Sequence, residues 1–248
     1  SAETTDGSGK TIDLKLGVVK FNYYEDLFSP TVTAQMLIVS AGGATKTDAN
    51  GKGAEVLDTV YSGLPIRGGE RVRVKIKPNS QSNIALEFDT PEKYFYVSNV
   101  ARQFSDGSKE IFTLDLVSRE AITNETVRVG KKFPGSQPIS DSVDNILKEY
   151  LKTDKIGTID KTQNPYGFLG NLKKPFTILT WLSSKGVPAS TGKDASAGYL
   201  FYQTKDGFNF RSIDDLIDQN PYKNKFVYTP NVVEDQDPRK NFKILNYG

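Results

Sequence analysis

Neither cysteine nor histidine occurs anywhere in the 248 residues, and there is one methionine and one tryptophan. Without cysteine there are no disulfides and no thiolate nucleophile, and without histidine the usual triads and most zinc or transition-metal ligand sets are excluded. Long apolar runs are missing as well. Nothing approaches the ~18 apolar residues of a membrane-spanning helix, and Ser1 to Gly9 has no signal-peptide core, so neither a membrane anchor nor an export signal is expected. Lysine plus arginine (32) nearly balances aspartate plus glutamate (30), and a net charge of +2 makes no case for a nucleic-acid binder. Carboxylates, lysine, tyrosine, serine and threonine are what remain for chemistry.

A hydrophobic content of 37%, with 25% charged and 11% aromatic residues, suits a folded chain whose strands are rich in Phe and Tyr. Residues 10–129 read as successive strands. Thr11 to Lys20 alternates around Ile12, Leu14 and Leu16, and Thr31 to Val39 follows after an aromatic bend from Asn22 to Pro30. Ala41 to Gly53, rich in Gly, Lys, Asp and Asn, reads as a solvated, mobile loop. Ile84 to Phe88, Tyr94 to Phe104 and Ile111 to Arg119 complete the set, with a hairpin turn at Ser105 to Ser108. Six or seven short strands in this span predict a small closed antiparallel barrel, which removes exposed edges.

The texture then changes. Val143, Ile146, Leu147, Tyr150 and Leu151 share one side of a helix predicted over Asp141 to Lys152, and Thr153 to Leu172 reads as a loop. Phe176, Leu179 and Leu182 recur at helical spacing up to the stop signal Lys185-Gly186. Tyr199 to Thr204 and Phe208 to Arg211 flank Lys205-Asp206-Gly207, a hairpin turn signature, and Ser212 is placed to cap a short helix bearing Asp214 and Asp215 in its first turn. Asn220 to Asp237 is polar, and Asn241 to Tyr247 looks like a strand with no partner after it, which suggests that the chain continues beyond residue 248. The fold class is therefore β-rich α+β. A small antiparallel β-barrel occupies residues 1–130, a helical connector residues 131–197, and a hairpin, short helix and the beginning of a second barrel-like β domain residues 198–248.

Motifs that imitate chemistry are weak. Gly7 to Thr11 mimics the end of a phosphate-binding loop, but Thr4 stands where its first glycine belongs and a strand pattern follows. Asp48 to Gly53 resembles the opening of a calcium loop, yet Lys52 falls on a ligand position and Thr59 on the bidentate glutamate. Asp214, Asp215 and Asp218 form a compact acidic group suited to glycoside hydrolysis, but charge complementarity at a helix start already accounts for the first two. The strongest interaction candidate is cationic: Arg71, Arg73, Lys75 and Lys77 alternate with Val72, Val74 and Ile76. Any one-sided strand alternates in this way, and four cations in register also suit an acidic protein partner. No catalytic, cofactor-binding or metal-binding residue is assigned.

In the order of its elements, the chain resembles the central baseplate hub proteins of T-even-type contractile-tailed bacteriophages. Phe95 to Arg119 resembles a hairpin of that family. The run from Phe133 to Tyr150 (Phe-Pro-Gly-Ser-Gln-Pro-Ile-Ser-Asp-Ser-Val-Asp-Asn-Ile-Leu-Lys-Glu-Tyr) resembles its following helical segment, and Phe176 to Ile217 its helix and Asp-Gly-type hairpin leading toward a second barrel. The resemblance implies a non-enzymatic homotrimer without cofactors, located in the virion tail baseplate and assembled in the host cytoplasm. Tandem barrels would form a ring joining a threefold spike to a sixfold tube, around a channel that passes DNA without binding it specifically. Implied partners are a central spike or tail-lysozyme protein, the tail tube protein and baseplate wedge proteins. Two alternatives stand beside it: a carbohydrate-binding or hydrolytic β-module, suggested by Trp181, the tyrosines and Asp214/Asp215, and a spike protein of a type VI secretion system.

Overall fold

A computed structural model describes residues 2–3, 11–40, 44–47, 55–57, 66, 68–77, 85–106, 109–189, 198–220, 225–228 and 241–244. The first half is built on alternation. In β4 (Thr33–Ser40), Ala34, Met36 and Ile38 point inward, and in β11 (Lys109–Ser118), Phe112, Leu114 and Leu116 do the same. The antiparallel register sets Phe112 opposite Ile38 and Leu114 opposite Met36, so one face of both strands is apolar.

Around this pair a nine-stranded sheet curls in the order β3-β4-β11-β10-β7-β1-β2-β5-β6. The remaining strands are β1 (Ala2–Glu3), β2 (Thr11–Ile12), β3 (Val18–Tyr24), β5 (Ala44–Thr47), β6 (Glu55–Leu57), β7 (Arg71–Val72) and β10 (Phe95–Asp106). Register shifts between Val97 and Asn99 and between Arg102 and Phe104 bend β10. A separate ribbon, β8 (Val74–Ile76) with β9 (Leu86–Phe88), is tied to the sheet by Phe88, whose ring lies 5.2 Å from Tyr23 and 4.7 Å from Phe95.

The β-rich α+β class is as the sequence predicts, but the barrel is a curled half-barrel: among the described residues no ladder joins β3 to β6. The predicted strand from Thr11 to Lys20 is broken by a turn at Lys15 to Gly17, where Gly17 and Val18 both donate to the Leu14 carbonyl. Strand β3 runs into the predicted aromatic bend, and β5 lies inside the predicted loop from Ala41 to Gly53, whose remaining residues fall outside those described. The phosphate-loop and calcium-loop imitations fall outside them too, apart from Thr11 in β2.

Strand β11 passes directly into α1 (Arg119–Thr126), where the Ser118 hydroxyl accepts from the Ala121 amide at 3.3 Å. Beyond it, α2 (Ile139–Glu149) buries Val143, Ile146 and Leu147, and α3 (Pro175–Ser183) buries Phe176, Leu179 and Leu182. Both pack on a three-stranded sheet of β13 (Ile156–Ile159), β16 (Gly207–Ser212) and β15 (Tyr199–Thr204), with β13 parallel to β16. Strand β13, with β14 (Phe168–Leu169) paired to β12 (Lys132–Phe133), replaces the loop expected over Thr153 to Leu172. Stacking of Phe201 on Phe208 and of Tyr199 on Phe210 fills this second core, so the hairpin and the helices share one interior. Helix α4 (Ile213–Ile217) follows the hairpin, and the final strand, β18 (Asn241–Ile244), has a parallel partner earlier in the chain, β17 (Lys225–Tyr228).

Candidate functional site

The four cations of the proposed interaction strand do not share one sheet. Arg71 lies in β7, opposite Glu3 and Tyr96. Arg73 bridges the gap between β7 and β8, with its guanidinium 5.9 Å from the centre of the Tyr94 ring, a cation–π distance. Lys75 belongs to the ribbon and is paired with Asp89 at 2.8 Å and Glu87 at 3.4 Å, while Lys77 is exposed beyond β8. The hydrogen bond between Lys75 and Asp89 raises the ammonium pKa and lowers that of the carboxyl. Val72 and Val74 are buried as the alternation predicts, whereas Ile76 is exposed.

Where the ribbon meets the sheet, a cleft of about 470 Å3 opens. Leu14, Val18, Phe21, Met36 and Val74 line its apolar part, and Arg73, Lys75, Asp13 and Asp89 bring both signs of charge to it. Two arginine or lysine side chains of the cationic segment thus border one depression together with two carboxylates, an arrangement suited to polar contacts around an apolar insertion.

Side-chain hydrogen bonds and ion pairs hold the junction of the two cores. Gln203, buried in β15, accepts from the Val32 amide at 3.1 Å and from the Thr31 hydroxyl at 3.2 Å, and Thr31 also bonds Ser118. Glu25 accepts from the Tyr23 hydroxyl at 2.7 Å and from the Lys205 amide at 2.6 Å. Burial, helped by the Glu25 hydrogen bond and charge, pushes the Tyr23 phenol pKa well above its ordinary value. Glu120 is fully buried and pairs with Lys155 at 3.0 Å and Arg119 at 3.3 Å. Asn124 receives the Phe176 amide at the start of α3. Apart from the local contacts Tyr23–Glu25 and Arg119–Glu120, nothing in the sequence signals these pairings, because their members lie tens of residues apart.

In the hairpin module, Ser212 caps α4 by accepting from the Asp215 amide, with Asp214 and Asp215 in the first turn. Thr204 pairs with Gly207, so the turn is Lys205-Asp206 and Gly207 opens β16 at φ 140°. Trp181 is 40% exposed, and its ring meets Tyr166 and Phe168 edge-on at 5.6 Å each.

No protein-family model and no curated protein sequence matches the chain. Among solved structures, the fold is similar to that of the 43 kDa tail protein of prophage MuSo2 from Shewanella oneidensis, with a TM-score of 0.52 at 10% identity, over 91% of this chain and 59% of that one. Weaker likenesses are to the E. coli c3393 protein, a type VI secretion component described as structurally similar to the T4 bacteriophage tail proteins gp27 and gp5 (TM-score 0.47, 10% identity, 93% and 52% of the chains), and to a tail protein from Neisseria meningitidis MC58 (0.47, 9%, 86% and 52%). The chain therefore spans between half and three fifths of the length of these proteins. At 10% identity, what is shared with the prophage tail protein is the β-rich α+β fold.

Proposed function

We propose that the chain is a structural component of a phage-type tail, and more narrowly a baseplate hub: a homotrimeric ring that joins a threefold spike to a sixfold tube around a channel for DNA. The observation that carries this reading is the fold likeness to a prophage tail protein along 91% of the chain. A sequence without histidine or cysteine, in which Asp214 and Asp215 are accounted for as helix-start charges, supports a role without catalysis. The partners of that role are the spike or tail lysozyme, the tube protein and the wedge proteins, with Arg71, Arg73, Lys75 and Lys77 offered to one of them. Co-expression with the tail tube and spike proteins of the same source, followed by electron microscopy, tests the proposal. The expected product is a threefold particle containing all three; tubes and spikes that assemble fully without this chain would sink it.

A second reading, a carbohydrate-binding module, has the partly exposed Trp181 beside Tyr166 in its favour. It predicts glycan-array binding that Trp181→Ala abolishes, and no binding to any glycan would dismiss it.

A further inference from the structure

Two rigid surface features of this chain are chemically complementary to one another. The first is the turn after β3. Leu27 is 47% and Phe28 84% exposed, directly after Glu25 and Asp26. Covering this adjacent apolar pair would remove its surface from water, which is favourable. The turn is fixed in place: Asp26 accepts from the Phe28 amide at 2.8 Å, and Glu25 is held by Tyr23 and by the Lys205 amide.

The second is the ledge formed where β14 leads toward α3. Leu169 is 60% and Leu172 69% exposed. Leu169 pairs across the ribbon with Lys132, and Lys173 follows Leu172. Lys132 and Lys173 carry no ion-pair partner among the described residues. The ledge, like the turn, is fixed by hydrogen bonds. Gly170 donates to the Lys131 carbonyl, Leu172 to Val129 and Val129 to Lys173, each at 2.9 to 3.0 Å, and Phe133 stacks on Phe168 at 4.4 Å on the other face of the ribbon. Within this frame Asn171 and Leu172 adopt φ of 52° and 55°, a left-handed conformation that is costly for leucine and that turns its side chain toward solvent.

We infer that these surfaces bind each other between copies of the chain, with Leu27 and Phe28 of one copy seated on Leu169 and Leu172 of the next, and Glu25 and Asp26 facing Lys132 and Lys173. This rests on the reading of the chain as a self-assembling tail component and adds the surfaces through which it assembles. The occupant is a second copy because the same sequence supplies both halves of the match: two apolar side chains with two carboxylates against two apolar side chains with two ammonium groups that have no ion-pair partner among the described residues. Both halves are held in shape before they meet, which lowers the entropic cost of association. Because the two surfaces are unlike, repetition of the contact builds a head-to-tail ring or filament, or a reciprocal dimer.

The native absence of cysteine makes a direct test available. Leu27→Cys and Lys173→Cys chains, mixed and oxidised, are expected to give a heterodisulfide dimer in large excess over the disulfides formed by either variant alone. In sedimentation, Phe28→Asp and Leu172→Asp are each expected to weaken self-association by about tenfold or more, and Lys132→Glu with Lys173→Glu to weaken it and flatten its salt dependence. Circular dichroism of each variant checks that the fold is retained. An oligomer whose mass is unchanged by Phe28→Asp and Leu172→Asp, and that forms no heterodisulfide, overturns this contact while leaving a ring hub standing. A chain that is monomeric at its highest soluble concentration overturns the contact, and flotation of that monomer with phosphatidylserine vesicles through Leu172 and Lys173 would reassign the ledge to a lipid surface. Failure to join tube and spike proteins, with the heterodisulfide intact, would remove the hub reading and leave the contact.

Discussion

At the scale of the residue, the informative side chains are polar ones whose partners lie far away in the sequence. Gln203 illustrates this: replacing it with alanine leaves the Val32 amide and the Thr31 hydroxyl without their shared acceptor inside a buried junction. A buried donor left unmet costs about 1–3 kcal/mol, so Gln203→Ala is expected to lower the urea midpoint without abolishing folding. The Lys75–Asp89 pair gives a second prediction. Because the folded-state pKa of Asp89 is lowered, the pair's contribution is present above the ordinary carboxylate range and fades as pH falls through the lowered value. For Lys75, whose pKa is raised, it is present below the ordinary lysine value and fades as pH rises through the raised one. NMR titration of Asp89 in Lys75→Met is expected to show its pKa moving upward toward that of a free aspartate; an unmoved titration would assign the shift to another group.

At the scale of the element, the hairpin β15–β16 depends on one backbone geometry. Gly207 sits at φ 140°, and a Cβ there would come within 2.7 Å of the Lys155 carbonyl oxygen. Both the conformation and the space are denied to alanine, and strain of this kind costs roughly 1–3 kcal/mol. Gly207→Ala is therefore expected to destabilise the protein by at least as much as Gln203→Ala, with lost amide-exchange protection in β13, which pairs with β16, as the local sign. Equal protection of β13 in the variant and the parent would count against this account. Helix α1 teaches the complementary lesson. Ser118 has the right chemistry for a helix cap, but the strand alternation of Lys109 to Ser118 runs straight up to it, and the segment that follows has little apolar content to mark a helix; its Glu120 is buried against Lys155, a partner distant in the sequence.

At the scale of the whole molecule, the described residues form two apolar clusters, one running from Ala2 to Leu116 and the other from Val129 to Phe210. The hydrogen bonds and ion pair that join them run through Thr31, Ser118, Glu120, Asn124, Lys155 and Gln203. Apolar burial is what makes a unit unfold cooperatively, and a polar junction transmits that cooperativity weakly. Native-state hydrogen exchange is expected to resolve two protection classes, divided between Ser118 and Val129; one uniform class across both cores would show that the junction couples them fully.

The sequence alone determined the chemistry that is denied to this protein and most of its local structure. Missing histidine and cysteine exclude whole reaction classes wherever the chain folds, because no arrangement creates an absent functional group. Period-two alternation in β4 and β11, helical spacing in α3 and the Ser212 cap of α4 were legible because each is set by neighbours in the chain. The parallel pairing of β13 with β16, the opening of the expected barrel into a half-barrel, the division of Arg71 and Lys75 between two sheets and the pairing of β18 with β17 were decided only by tertiary structure. The physical reason is the same in each case: ladder partners, burial and ion pairing are properties of residues brought together from a distance, and a linear pattern records which face a side chain prefers but not what it will meet there.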